Sequence, residues 1–282
     1  MGERSITHGS NDNTRAALVV AHPGHELRVH HWMETVRPLY FCLTDGSGRA
    51  GNSRMDSTSK LLRGVGATPG GIYGRFTDKE VYQALLAGPT GIFAELVKEL
   101  AEALIAHDIE TVAGDAPEGM NPTHDLCRFL IDEAVTVVER LTGRRVRNLE
   151  FVLDSPPTEC REELKSQALW LRLDEEALER KLRAALDYPE LRAETDEGLR
   201  LFGKQAFSVE CLRPSTSRAA LEACEKAPPA YERFGREGVV RHGKQFGRYE
   251  QIITFQQHVK PMVQSMEKAG AEWVPSPVGD PE

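Results

Sequence analysis

The chain has 282 residues, 40% of them hydrophobic and 28% charged, with a net charge of −8. That length can bury the core of one α/β domain with additions, or of two domains. An acidic surface without a long Lys/Arg block repels phosphate backbones and anionic bilayers, and no apolar run reaches the roughly 20 residues of a membrane span, so nucleic acid and membrane insertion are not expected.

Residues 1–14 are polar, lack the apolar region of a secretory signal and read as a disordered tail. The five cysteines, Cys42, Cys127, Cys160, Cys211 and Cys224, form no CxxC pair. A disulfide framework is therefore not expected, and a cytoplasmic location is. Ala16–Ala21 is a continuous apolar run, the pattern of a strand buried on both faces. It leads straight into His22-Pro23-Gly24-His25-Glu26, after which a helix is expected from Glu26 to before Pro38. Leu39–Thr44 reads as a second strand ending in the turn cluster Asp45-Gly46-Ser47-Gly48. Leu61, Leu62 and Val65 mark a helix closing at Gly66, and Gly71–Gly74 a short strand. Helical spacing of Phe93, Leu96, Val97, Leu100 and Leu104 predicts a helix over Thr90–His107. Thr111–Asp115 is then a strand, and Asn121-Pro122-Thr123-His124-Asp125 opens a helix striped by Leu126, Phe129, Leu130, Ala134, Val137, Val138 and Leu141.

Beyond residue 145 the pattern weakens. Leu149–Asp154 is a candidate strand, Asp174 caps a charged helix to Asp187, residues 190–245 read as irregular, and Tyr249–Lys268 as a helix bent at Pro261. Alternating strands and helices predict an α/β fold, Rossmann-like, with a mostly parallel sheet, helices on both faces and a helical or irregular C-terminal extension. The expected division is an α/β metal-binding domain over 15–190, an extension packed on it over 191–274, and a tail over 275–282.

In such a fold the C-terminal ends of the strands share one rim, where open sheets bind ligands. His22, His25 and His124 fall there and can supply the three protein ligands of a catalytic metal site. Taken singly, His22 reads first as a strand cap and His124 as a helix cap; the three together favour the metal. Asp115, Asp45 and Glu118 sit at rim positions too, where an acid is often a cap or turn former.

VVAHPGHE, then LTDGSG, then NPTHD before a helix resembles, in that order, the LmbE/PIG-L family of zinc-dependent N-acetylglucosaminyl deacetylases, whose pattern is AHPDDE, LTxGExG and HPDH. The resemblance covers roughly residues 15–145. It implies Zn²⁺, or another divalent metal, on His22 and His124, with His25 where the family has its Asp ligand. Gly24 stands where the family has its catalytic Asp base, Asn121 replaces an assisting His, and Thr123 replaces an orienting Asp. Gly24 cannot accept a proton, so Asp115 is the first replacement base, Glu26 the second, and Asp45 and Glu118 weaker ones. Asn121 retains an amide donor for a carbonyl oxygen. Asp45, Arg75 and Asp78 are the expected substrate contacts, Asp78 at a position where the family is acidic.

The leading expectation is a zinc-dependent amide hydrolase that deacetylates an N-acetylated amino sugar or glycoconjugate. The alternative is a non-hydrolytic metal-binding protein of the same fold, acting on sugars as a binding or regulatory subunit. A third reading, a nucleotide-cofactor enzyme, rests on the GxGxxG match at residues 46–51. The partner is a small molecule or glycoconjugate, and nothing in the composition opposes a homo-oligomer.

Overall fold

A computed structural model describes residues 14–48, 51–89, 91–237, 239–241, 244–246 and 251–274. The expected tails at residues 1–13 and 275–282, Arg49 and Ala50 of the glycine-rich motif, and the helix starts at Thr90 and Tyr249 lie outside these. Seven strands form one sheet: β1 (Ala16–Val20), β2 (Leu39–Thr44), β3 (Thr68–Phe76), β4 (Thr111–Asp115), β5 (Arg147–Phe151), β6 (Leu169–Arg172) and β7 (Val209–Pro214). Their order is 3-2-1-4-5-7-6. Strands β1 to β5 run parallel, and β7 is antiparallel to both its neighbours.

The helices are α1 (His30–Val36), α2 (Met55–Val65), α3 (Asp78–Ala87), α4 (Gly91–Ala106), α5 (Pro122–Thr142), α6 (Glu175–Leu186), α7 (Arg192–Phe202), α8 (Ser217–Lys226), α9 (Ala230–Glu237) and α10 (Lys260–Glu272). A two-stranded hairpin, β8 (Val239–Arg241) with β9 (Lys244–Phe246), follows α9.

Side chains alternate across a strand, and the core divides accordingly. Ala17 and Val19 of β1, with Phe41 and Leu43 of β2, join α4, α5 and α10 on one face. Ala16, Leu18 and Val20, with Tyr40 and Cys42, join α1 and α2 on the other. Helix α5 packs so closely on β4 that a Cβ on Gly114 would lie 2.5 Å from Ile131 Cδ1 and 2.6 Å from the Val19 carbonyl oxygen. Both faces being covered explains why β1 is apolar throughout.

The strand order reverses between β1 and β4, because β1 leads outward to β2 and β3 while β4 leads to β5. A crevice opens at such a reversal, outside the carboxyl ends of the strands.

Several expectations change. The segment after His25 is a 3₁₀ turn over His25–Val29 before α1. Residues 190–245, read as irregular, hold α7, β7, α8, α9 and the hairpin. Because β7 lies inside the sheet, between β5 and β6, residue 190 does not separate a domain from an appendage. Glu210 of β7 is buried and accepts from Lys181 Nζ at 2.8 Å and from the Trp32 amide at 2.8 Å, fastening that strand to α6 and α1. Pro261 stands where the helical type of the last segment changes. It lies just after a π-helical turn over Phe255–Val259 that runs directly into α10.

Candidate metal centre

The end of β1 is tied to its neighbours by two hydrogen bonds. The Ala21 amide donates to Asp115 Oδ2 at 2.8 Å, and the Thr44 amide to the Ala21 carbonyl at 3.0 Å. The chain then turns at Gly24, whose φ is +104°. Glu26 Oε2 accepts the Gly24 amide at 2.7 Å and the Tyr40 hydroxyl at 3.0 Å, while its Oε1 accepts Thr58 Oγ1 at 2.7 Å. Burial pushes the Glu26 carboxyl up, against the bonds from Thr58, Gly24 and Tyr40 that lower it. This buried knot holds the His22–Glu26 turn in place.

Helix α5 brings the third imidazole. Asn121 is its N-cap, accepting the Thr123 amide at 2.9 Å, and Pro122 opens the first turn that carries His124. The three rings meet edge to face: His22–His25 centroids lie 5.3 Å apart, His22–His124 4.9 Å and His25–His124 4.5 Å.

Each of the first two rings is oriented from behind. His22 Nδ1 is 2.7 Å from Thr44 Oγ1 and 2.9 Å from Asp78 Oδ1. His25 Nδ1 is 2.9 Å from Asp115 Oδ2. Engaging Nδ1 with oxygen leaves Nε2 for a cation, the usual support of a metal-bound histidine. Burial, then the neighbouring charges of His22, Arg54 and Arg28, holds the His25 imidazole well below its ordinary value. Burial raises Asp115 to about 7, although the Ala21 amide and the charges of His22 and Arg128 oppose it. Burial would also raise Asp78, but bonds from His22, Thr44 and the Gly48 amide outweigh it and hold that carboxyl well below the usual range.

Three imidazoles are donors of the kind that zinc takes. With zinc–nitrogen bonds of about 2.0–2.1 Å, ring centres lie about 3 Å from the metal and, at tetrahedral angles, about 5 Å from one another. The measured triangle has that size. Asp115 Oδ1, behind the His25 ring, is a buried carboxylate oxygen without a hydrogen-bond partner, which a nearby cation would offset. Among the described residues no three His, Cys, Asp or Glu groups stand in ready coordinating geometry. The three rings stand close together without that geometry.

A cleft of about 720 Å³ opens over the three histidines, lined also by Asp78, Asn121, Arg54 and Lys79. Other residues singled out in the sequence lie elsewhere. Asp115 is fully buried with its Oδ2 against His25 Nδ1, so it does not line the cleft as the expected base would. Glu26 is fully buried in its own hydrogen bonds and does not line the cleft. Glu118 caps the Leu153, Asp154 and Ser155 amides. Asp45 caps the Ser47 amide at 2.9 Å, and the Arg75 guanidinium is held by Glu99; neither lines the cleft. The Gly46, Ser47, Gly48 and Gly51 amides donate to Thr44, Asp45, Asp78 and the Ser47 carbonyl, so these four described amides of the motif are already engaged within the protein. Sequence reasoning missed Thr44, which was visible as the polar end of an apolar strand. It also missed Lys79, Tyr82, Met120, Tyr231, Phe234 and Ile253, which no local pattern marks.

No family model matches this sequence, and no curated protein matches it. Among solved structures, the chain is similar to the conserved protein TT1542 from Thermus thermophilus, at 14% identity and a TM-score of 0.50 over 71% of this chain and 94% of that one. It is similar also to the A40926 pseudoaglycone deacetylase Dbv21, at 17% identity and a TM-score of 0.48 over 72% and 97%. A third is the zinc inhibited form of teicoplanin deacetylase Orf2, at 16% identity and a TM-score of 0.48 over 71% and 97%. The likeness to TT1542 concerns the fold alone, and nothing further rests on the other two.

Proposed function

We propose that the protein is a metal-dependent hydrolase of carbon–nitrogen amide bonds, acting on an N-acylated amino sugar or glycoconjugate, with zinc on His22, His25 and His124. The observation that carries this reading is the triangle of three imidazoles at the sheet's reversal point, two of them oriented from behind by Asp115 and by Thr44 with Asp78. His22, His25 and His124 would hold the zinc, which would supply polarisation of a carbonyl and a water acidic enough to attack near neutral pH. Asp115 holds the His25 ring, and Asp78 with Thr44 the His22 ring. Asn121 uses its side-chain oxygen as the helix cap, so its amide nitrogen is the donor left for the acyl oxygen. Asp78 is the only carboxylate among the described cleft-lining residues and is assigned to substrate hydroxyls.

The test is metal content of the purified protein together with acyl release from N-acetylglucosamine and its conjugates. Wild type is expected to hold about one zinc per chain, and His25→Ala and His124→Ala to lose both zinc and turnover. Unchanged zinc in His25→Ala would remove that ligand from the set.

One observation favours a second, non-hydrolytic reading. At position 24 a Cβ would lie 2.1 Å from Leu191 Cδ1, so no side chain occupies the base position without displacing Leu191. Stoichiometric zinc with no acyl release from any conjugate would select a metal-dependent sugar-binding protein.

A further inference from the structure

Part of the cleft presents carbon to its occupant. Tyr231 of α9 is 7% exposed with its hydroxyl buried, and the Tyr82 hydroxyl of α3 donates to the Gln251 carbonyl at 2.7 Å. Both tyrosines line the cleft, beside Met120, Phe234 and Ile253. The wall is preformed: Tyr231 and Ile253 belong to the same buried cluster as Val81, Leu85, Leu126 and Phe255. Its volume of about 720 Å³ falls among sites for drug-sized ligands, roughly 300–1,000 Å³. An acetylated monosaccharide would leave most of that apolar surface uncovered.

We propose that the substrate carries an extended apolar group that lies on Tyr82, Met120, Tyr231, Phe234 and Ile253. This names the substrate class of the amide hydrolase proposed above and rests on that reading. The group belongs either to the acyl side or to the amine side of the scissile bond, and two series separate them. One lengthens the acyl chain of N-acylglucosamines from acetyl to octanoyl; the other lengthens the alkyl glycoside of N-acetylglucosamine from methyl to octyl. In one series kcat/KM is expected to rise about three- to fourfold per methylene over the first few, the gain of burying each CH₂. Phe234→Ala is expected to cut the ratio of longest to shortest substrate about tenfold or more.

Calorimetry of the octyl and methyl glycosides and of the octanoyl and acetyl amides, on metal-free protein, reads the wall without turnover. Chain-length-dependent binding with no hydrolysis in zinc-loaded protein keeps the wall and removes the hydrolase reading. Hydrolysis of the acetyl substrate with flat series in both arms, and flat binding, removes the wall and leaves the hydrolase.

Discussion

The two sides of the cleft are built on opposite principles. The histidine side is polar and fixed by buried hydrogen bonds, because Glu26 alone accepts three and Asp115 Oδ2 two. The aromatic side is fixed by packing, with the Tyr231 hydroxyl buried and the Tyr82 hydroxyl bonded to the Gln251 carbonyl. A buried carboxylate depends on each partner, whereas a packed wall tolerates loss of a polar atom it does not use. Substitutions on the two sides should therefore cost very different amounts.

The largest effect is expected at Glu26. Glu26→Ala leaves the Gly24 amide, the Tyr40 hydroxyl and the Thr58 hydroxyl buried without their acceptor. The loss should be about 3–5 kcal/mol in urea unfolding, with zinc binding weakened as the turn loosens. A cost below about 1 kcal/mol would show that the turn is held by its backbone alone.

Gly24 comes next. Its φ of +104° disfavours any side chain, and a Cβ meets Leu191 Cδ1 at 2.1 Å. Gly24→Ala is expected to cost about 2–3 kcal/mol. In the background of Leu191→Ala that cost should fall but not vanish, since truncating Leu191 relieves the clash and leaves the backbone strain. Equal costs in both backgrounds would mean that Leu191 moves aside freely.

The contrast also explains what the sequence made legible. Strand β1 is buried on both faces and reads as an unbroken apolar run, with His22 and His25 just after it, and His124 opens the helix that follows β4, so the near side was visible. Asp115 was expected as a base, and its position at the end of β4 does not reveal that its carboxylate is buried against His25. The far side comes from α3, the loop before α5, α9 and the segment before α10, which only tertiary packing unites. Helix α3 itself was overlooked despite its capping box, Thr77 with Glu80. Strand β7 was missed because it carries Glu210, a charge that makes sense only beside Lys181.

On the aromatic side, Tyr231→Phe removes a hydroxyl that is buried without a partner. Stability should be unchanged or higher by about 1 kcal/mol, and the acyl-chain or glycoside series should keep its slope. A loss of stability would reveal a hydrogen bond to the hydroxyl and bring the two sides closer in character.

The smallest effect concerns how the far side is docked. Helix α10 packs on α5, where a Cβ on Gly270 would lie 2.1 Å from Glu133 Oε1. Burial, then the nearby Glu267, raises the half-buried Glu133 carboxyl to about 7. A carboxyl raised by folding binds its proton more tightly in the native state than in the unfolded chain. Its contribution is therefore complete below the unfolded value, near 4.3, and is lost as pH rises through about 7. Partial exposure screens the effect, so the change should stay under about 1 kcal/mol. Glu133→Gln keeps the neutral form at every pH. Its stability relative to wild type should increase between pH 5 and 8, read by urea midpoints, whereas parallel curves would place Glu133 in ordinary solvent and leave α10 docked by its apolar face alone.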